Sequence, residues 1–103
     1  MALILEEHVA MREKIVNAKD ESGQLAGEAI VEAVENQIAE DNPPETKITL
    51  IRLIALGESR ENAIRYIASA LSVEIFDALK NENAYNEQRY ISNLKKLPEL
   101  PFD

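Results

Sequence analysis

The sequence contains no cysteine, no tryptophan and only one histidine, His8, in 103 residues. The absence of cysteine excludes disulfide bonds, thiolate zinc sites and cysteine nucleophiles. A single histidine excludes any site that needs two imidazoles from one chain. The three glycines, Gly23, Gly27 and Gly57, do not form the glycine-rich loop that binds phosphate groups.

Glycine and proline are scarce, with three and four residues, which argues against a turn-rich β fold and against a disordered chain. The apolar fraction of 46% and the charged fraction of 29% are ordinary for a globular protein. A chain of this length corresponds to one domain. We expect a single helical domain over residues 1–97, followed by an extended C-terminal tail over residues 98–103.

Basic residues are few, and the net charge is -8. Residues 1–45 hold eleven acidic and three basic side chains, so the whole excess lies there, while residues 46–103 hold eight of each. An acidic surface of this kind keeps a protein in solution, or it binds a basic protein partner. Nucleic acid would be repelled by it, so we expect no nucleic-acid partner.

Targeting and membrane signals are also missing. The apolar start, Met1 to Leu5, ends at Glu6 and Glu7, which is too short for the apolar core of a secretory signal. No run approaches the roughly 18 apolar residues of a membrane span. We therefore expect a cytoplasmic protein with no membrane partner.

What the sequence does contain is helical periodicity. Apolar residues recur at helical spacing, and Ser22, Ser59 and Asn86 are suitable N-caps. Gly57 fits the position just after a helix end. No strand pattern is found. The sequence predicts an all-α fold, a compact bundle of about five helices with short connections, over residues 3–19, 24–41, 46–56, 60–80 and 86–96.

The third predicted helix, residues 46–56, is the most apolar. Seven of the nine residues from Ile48 to Leu56 are apolar, and they point in all directions around a helix. A helix that is apolar all round belongs in the interior. We therefore expect a buried third helix around which the others pack.

Three polar residues fall where apolar ones belong. Gln37 lies on the inner arc of its helix, Arg52 is the one charge within the apolar stretch from Ile48 to Leu56, and Glu74 lies among apolar residues of 60–80. Because a buried charge needs a partner, we expect Arg52 to pair with Glu74, with Gln37 completing the network. Such a network fixes helix register; alternatively, these three are the candidate residues of a ligand-binding or catalytic site.

No catalytic or metal constellation accompanies them. His8 is a packing residue by its spacing, because no carboxylate or nucleophile converges on it. Glu28, Glu32 and Glu35 share one helix face, where they are expected to be solvated rather than to hold a cation. We expect no catalytic residues, metal or cofactor, and an enzyme is less favoured than a binding protein.

Residues 46–80 also have the outline of a helix-turn-helix, with Arg60 and Arg65 on its second helix. Glu58 and Glu61 would then face phosphates at the start of that helix. A DNA-binding regulator is therefore only a further alternative.

Several short segments resemble a pattern in small uncharacterised bacterial helical domains. The resemblance covers about residues 28–97, and Gln37 and Arg52 match the pattern, which implies a shared role for them. It implies an all-helical fold and no particular activity. Some members have histidines where this chain has Glu61 and Arg65, so the resemblance gives no support to a metal site. The matching segments are Glu35-Asn36-Gln37-Ile38-Ala39, Pro43-Pro44, Arg52-Leu53, Gly57 and Arg60-x-x-Ala63-Ile64.

The function that these observations favour is a non-catalytic, acidic interaction or structural protein that forms a homodimer. Residues 3–19 carry apolar side chains over most of the helix circumference, and Leu100 and Phe102 are possible anchors in the tail. The tail either packs on its own chain or reaches a neighbouring subunit. A small-molecule binder or enzyme that uses Gln37, Arg52 and Glu74 is the alternative, and it requires a pocket that at least two of them line.

Overall fold

The computed structural model describes residues 23–82 and 84–101, and these residues form four α-helices. The helices are α1 (Gly23–Glu40), α2 (Pro44–Ala55), α3 (Arg60–Asn81) and α4 (Glu87–Lys96). The described residues contain no strand, so the all-α prediction is confirmed, with four helices rather than about five. The helix predicted at residues 3–19, with His8, lies outside the described residues, as do Ser22 and Phe102.

The N-caps of α3 and α4 are the ones that the sequence predicts. The Ser59 hydroxyl accepts a hydrogen bond from the Asn62 N–H at 3.1 Å, and Asn86 Oδ1 accepts from the Arg89 N–H at 3.0 Å. Each side chain satisfies a backbone donor that has no partner within the helix. These two caps explain why both helices begin at the predicted residues.

Helix α2 begins earlier than predicted, at Pro44 rather than near Thr46. A proline in the first turn of a helix costs nothing, because the N–H that it lacks would have no partner there. The pair Pro43-Pro44 therefore both separates α1 from α2 and starts α2.

Helix α2 ends where the sequence predicts, at a glycine. Gly57 has a φ of +105°, its N–H donates to Ile54 O at 3.0 Å, and the Glu58 N–H donates to Leu53 O at 3.1 Å. These two bonds form a Schellman motif, which satisfies carbonyl groups at the helix end. A side chain at this φ is strained, which favours glycine at position 57.

The longest helix, α3, is the centre of the packing, and it contacts each of the other three helices. Seven of its apolar side chains are buried, and Ala68 and Leu79 pack against the same core from partly buried positions. The buried apolar set of α3 is Ala63, Ile64, Ile67, Ala70, Leu71, Ile75 and Ala78. The apolar residues that recur at helical spacing over residues 60–80 thus form the side of α3 that faces the core.

The prediction that the third predicted helix is buried on all sides is wrong. That helix is α2, and although it contacts α1, α3 and α4, it does so through one side only. Thr46, Thr49, Leu50 and Leu53 are buried. On the opposite side Ile48 and Ile51 are 61% and 60% exposed. Apolar residues lie all around α2, but only one side of the helix is buried.

None of the described helices is both long enough and apolar enough to cross a membrane.

Two glycine substitutions test the helix boundaries, because they are expected to change the free energy of unfolding in opposite directions. We expect Gly57→Ala to destabilise the protein by about 1 kcal/mol, because alanine is strained at a positive φ. We expect Gly27→Ala to stabilise it by up to about 1 kcal/mol, because position 27 lies inside α1, where alanine is the better helix former. An added Cβ meets no atom within 4 Å at either position, so neither effect includes a steric clash. Urea unfolding measures the free energy of unfolding of both variants. A change in the same direction for both would contradict the assigned helix ends.

Candidate functional site

Gln37, the first of the three candidate residues, accepts two hydrogen bonds inside the bundle. Its Oε1 receives the Thr46 hydroxyl at 2.8 Å and the Tyr90 hydroxyl at 2.7 Å. The two hydroxyl oxygens lie 3.3 Å apart. All three residues are buried, and they belong to α1, α2 and α4. This polar node therefore joins three helices, and its hydrogen bond from Tyr90 to Gln37 links α4 to α1.

Arg52, the second candidate, binds the end of α4. Its Nη1 donates to Leu97 O at 2.7 Å and its Nη2 donates to Leu94 O at 2.9 Å. The last carbonyl groups of a helix have no partners within the helix and carry partial negative charge, so a guanidinium at this place is stabilising. Arg52 thus fastens α2 to the C-terminal end of α4.

The polar node and Arg52 together fix the rotation of α2 about its own axis. Thr46 must point inwards to reach Gln37, and Arg52 must point towards the end of α4. The isoleucines are then left on the outside. We call this surface of α2 the isoleucine face: it comprises Ile48, Ile51 and Ile54, which are 61%, 60% and 44% exposed, with the exposed residues Pro44, Lys47 and Ala55.

Glu74, the third candidate, is paired with Arg89 of α4. The carboxylate is buried, with 1% of the side chain exposed, and it accepts from Arg89 Nε at 2.7 Å and from Nη2 at 2.8 Å. Arg89 Nη2 also donates to Asp77 at 2.9 Å. These hydrogen bonds raise the pKa of Arg89 above its usual range, and those to Glu74 contribute most. The guanidinium group of Arg89 gives the buried carboxylate two charge-assisted hydrogen bonds.

The three candidates therefore do not form one site. The predicted pairing of Arg52 with Glu74 is wrong: both Glu74 oxygens bind Arg89, and Arg52 binds backbone carbonyls. Gln37 does join helices, but with Thr46 and Tyr90. Each of the three residues links helices, as was expected of them together, but each does so in a separate contact.

A shallow groove with a volume of about 280 Å³ lies between the N-terminal half of α3 and the tail. It is lined by Asn62, Arg65, Tyr66, Ser69 and Leu100. None of the three candidate residues lines it. Leu100 is partly buried and packs against the core, so this part of the tail lies on its own chain.

The arginines of the helix-turn-helix outline are both paired with carboxylates. Arg60 makes a bidentate contact with Glu35 of α1 at 2.7 and 2.8 Å, and Arg65 binds Glu61 at 2.9 Å. The contact with Arg60 lowers the pKa of Glu35. These pairs lie at the surface, with 41–75% of each side chain exposed. Both cations are thus neutralised locally, which reduces what they offer to a phosphate backbone.

Within the described part of the chain, no group of three or more histidine, cysteine, aspartate or glutamate side chains has the arrangement of a metal site. This holds for Glu28, Glu32 and Glu35 of α1. Both carboxylate oxygens of Glu35 accept hydrogen bonds from Arg60.

Sequence reasoning missed Thr46, Tyr90 and Arg89 as partners. Helical spacing predicts Tyr90 on the inner face of its helix as a packing residue, and it predicts no role for Arg89. No local signal identifies these contacts, because the partners lie on different helices and are separated by 9 to 53 residues. The one available signal is a polar residue at an apolar position, and it identified Gln37, Arg52 and Glu74 but not what they bind.

No family model, curated protein or solved structure matches this chain. The resemblance to small bacterial helical domains therefore stays an expectation.

The Glu74–Arg89 pair gives a first prediction for this region. We expect Arg89→Met to destabilise the fold clearly, because it leaves the buried Glu74 carboxylate without its guanidinium. Arg65→Met, the control, removes an equally direct but exposed ion pair, and its effect should stay within about 0.5 kcal/mol. Adding Glu74→Leu to Arg89→Met should restore much of the loss. Urea midpoints measure all three variants, and equal effects for Arg89→Met and Arg65→Met would contradict the assignment.

The two tyrosines near the polar node give a prediction about pH. Burial raises the pKa of both Tyr85 and Tyr90 above the usual 10.0. The unfolded chain loses these protons near pH 10, whereas the folded chain keeps them, so the stabilisation is complete below pH 10 and declines as the pH rises further. We expect a loss of about 1.4 kcal/mol per tyrosine at pH 11.

Urea unfolding from pH 8 to pH 11 measures this loss. Tyr90→Phe should make the free energy of unfolding fall less steeply with pH above pH 10, because it removes one of the two buried hydroxyl groups. A slope that Tyr90→Phe does not alter would contradict the prediction.

Proposed function

We propose that this chain is a non-catalytic interaction protein that self-associates through the isoleucine face of α2. The exposure of Ile48, Ile51 and Ile54 carries the proposal. Single exposed apolar residues are common on protein surfaces, but a continuous apolar helix face is typical of a contact site. The three isoleucines follow one another at intervals of three residues, so they are neighbours on the helix surface.

The interior of the bundle supports a structural rather than a catalytic role for the buried polar residues. Gln37, Arg52 and Glu74 have direct protein partners for their hydrogen bonds, and they lie in three separate contacts. The groove on α3 is lined by none of them. An enzyme or ligand-binding protein would need at least two of them to converge on a cavity.

The expected association is weak. Complete burial of an isoleucine contributes roughly 1.5–3 kcal/mol, and these three side chains are already about half buried. Association of two molecules costs about 4 kcal/mol or more in lost translational and rotational freedom. A symmetric dimer buries the face twice, which offsets that cost by a small margin. We therefore propose a weak dimer that forms at concentrations approaching millimolar. We also propose that the protein is cytoplasmic, because a chain without cysteine has no need of an oxidising compartment.

Light scattering coupled to gel filtration, from about 10 µM to 1 mM, tests the proposal. We expect the molar mass to rise with concentration towards twice the chain mass of 11.6 kDa. Ile51→Lys should keep the mass at that of one chain, because it places a charge in the middle of the isoleucine face.

Leu56→Lys is the matched control. Leu56 is 63% exposed, which is close to the value for Ile51, but at the C-cap it points away from the isoleucine face. This variant should associate like the wild type. A wild-type chain that stays monomeric over the whole range, or an Ile51→Lys variant that still dimerises, would refute the proposal.

A further inference from the structure

We infer that residues 97–101 form a strap that opens and closes on the outer surface of α3 while the helices stay folded, and that Arg52 holds it closed. The inference concerns the surface of α3 and the end of α4, so it is independent of the isoleucine face. It is carried by the hydrogen bonds of Arg52, by the position of Leu100 and by the backbone of the strap.

The strap is attached at two points. At its start, where the chain leaves α4, Arg52 Nη1 donates to Leu97 O at 2.7 Å, and the Leu97 side chain is buried. Three residues later Leu100 lines the groove on α3 and packs against the core from a partly buried position. Between these two points Pro98 and Glu99 are exposed. The strap thus crosses from the end of α4 to the N-terminal half of α3.

The backbone of the strap contributes little to holding it in place. Pro98 and Pro101 have no N–H group to donate. The Glu99 N–H donates to Lys96 O at 2.9 Å, which forms a local turn after α4 and does not reach another helix. A segment outside the helices that is fixed by few contacts opens at a lower cost in free energy than buried helices do. The strap can therefore open without unfolding of the bundle.

Arg52 is placed to hold the start of the strap. Its Nη2 donates to Leu94 O at 2.9 Å, inside α4, so the guanidinium group is fixed on the helical part of the bundle. Its Nη1 is thereby aimed at Leu97 O, the carbonyl group at which the strap begins. Hydrogen bonds from a charged donor are roughly twice as strong as those between neutral groups. Loss of the guanidinium group should therefore weaken the first attachment and leave Leu100 to hold the strap.

Opening of the strap changes the surface that the bundle presents at α3. In the closed state Leu100 forms one wall of the groove, together with Tyr66, and both side chains pack against the core from partly buried positions. In the open state the groove loses its leucine, and the surface around Tyr66 becomes more accessible. Arg52 thus controls access to the groove, because a molecule that places an apolar side chain there must displace Leu100.

Single cysteines test the strap directly, because the chain has no cysteine of its own. Leu100→Cys reports opening of the strap, and Ala70→Cys, fully buried in α3, reports unfolding of the bundle. The measurement is the rate at which each thiol reacts with a chromogenic disulfide reagent. We expect Leu100→Cys to react about tenfold faster than Ala70→Cys or more, at a rate that low concentrations of urea do not raise.

Substitution of Arg52 separates the strap from the bundle. Arg52→Met should raise the rate of Leu100→Cys by about tenfold or more, and it should raise the rate of Ala70→Cys by a smaller factor. Arg52→Lys keeps the charge but loses the paired donors, so it should give an intermediate increase. Arg60→Met is the matched control: it removes a bidentate contact between α3 and α1 and should leave the ratio of the two rates unchanged.

Hydrogen exchange gives a second measurement, which needs no cysteine. The Glu99 amide should exchange through local opening, at a rate that low concentrations of urea do not raise. Arg52→Lys should speed this exchange, and Arg60→Met should not.

Three results would overturn the inference. Equal rates for Leu100→Cys and Ala70→Cys would show that the strap opens only when the bundle unfolds. A Leu100→Cys thiol that reacts as fast as Ala39→Cys, exposed on α1, would show that the strap is not closed. An Arg52→Met variant in which the rates at positions 70 and 100 rise by the same factor would show that Arg52 stabilises the whole bundle and not the strap.

Discussion

The hydrogen bonds that Gln37 accepts from Thr46 and Tyr90 are the constraint on which the rest of the structure depends. The hydrophobic effect alone does not decide how α2 is turned, because Leu50 and Leu53 lie on one side of the helix and Ile48 and Ile51 lie on the other. In the structure the side with Thr46 and Thr49 is buried, and Ile48 and Ile51 are exposed. A buried polar group without a partner costs more than an exposed isoleucine, so the three-helix node decides how α2 is turned.

Two charged contacts complete the same framework. Arg52 holds α2 at the C-terminal end of α4, and Arg89 of α4 neutralises the buried Glu74 of α3. Together with the node they connect all four described helices through polar groups with fixed directions. Apolar packing allows small rotations of a helix at little cost, whereas paired charges and buried hydroxyls do not. With α2 held in this orientation, the isoleucine face is left exposed.

Much of this fold can be predicted from the sequence, because helix positions depend on local patterns. The caps at Ser59 and Asn86, the stop at Gly57 and the inner face of residues 60–80 all follow from short-range chemistry. The rotation of α2 cannot be predicted in this way. Its residues are apolar in every direction, so periodicity gives no inner side, and the deciding hydrogen bonds come from Gln37 and Tyr90, which are distant in sequence. The partner of Glu74 was missed for the same reason: Arg89 lies on another helix, and only the packing of α3 against α4 brings the two together.

The most direct test of the central claim is a dilution series followed by ¹H–¹⁵N correlation spectra of the whole chain. The account predicts that the amide signals that shift with concentration cluster at Lys47, Ile48, Ile51, Ile54 and Ala55. The signals of exposed residues on α1 and α4 should stay in place. Spectra that do not change with concentration, or shifts that map to another surface of the bundle, would contradict the claim that the polar framework turns α2 outwards to form a contact site.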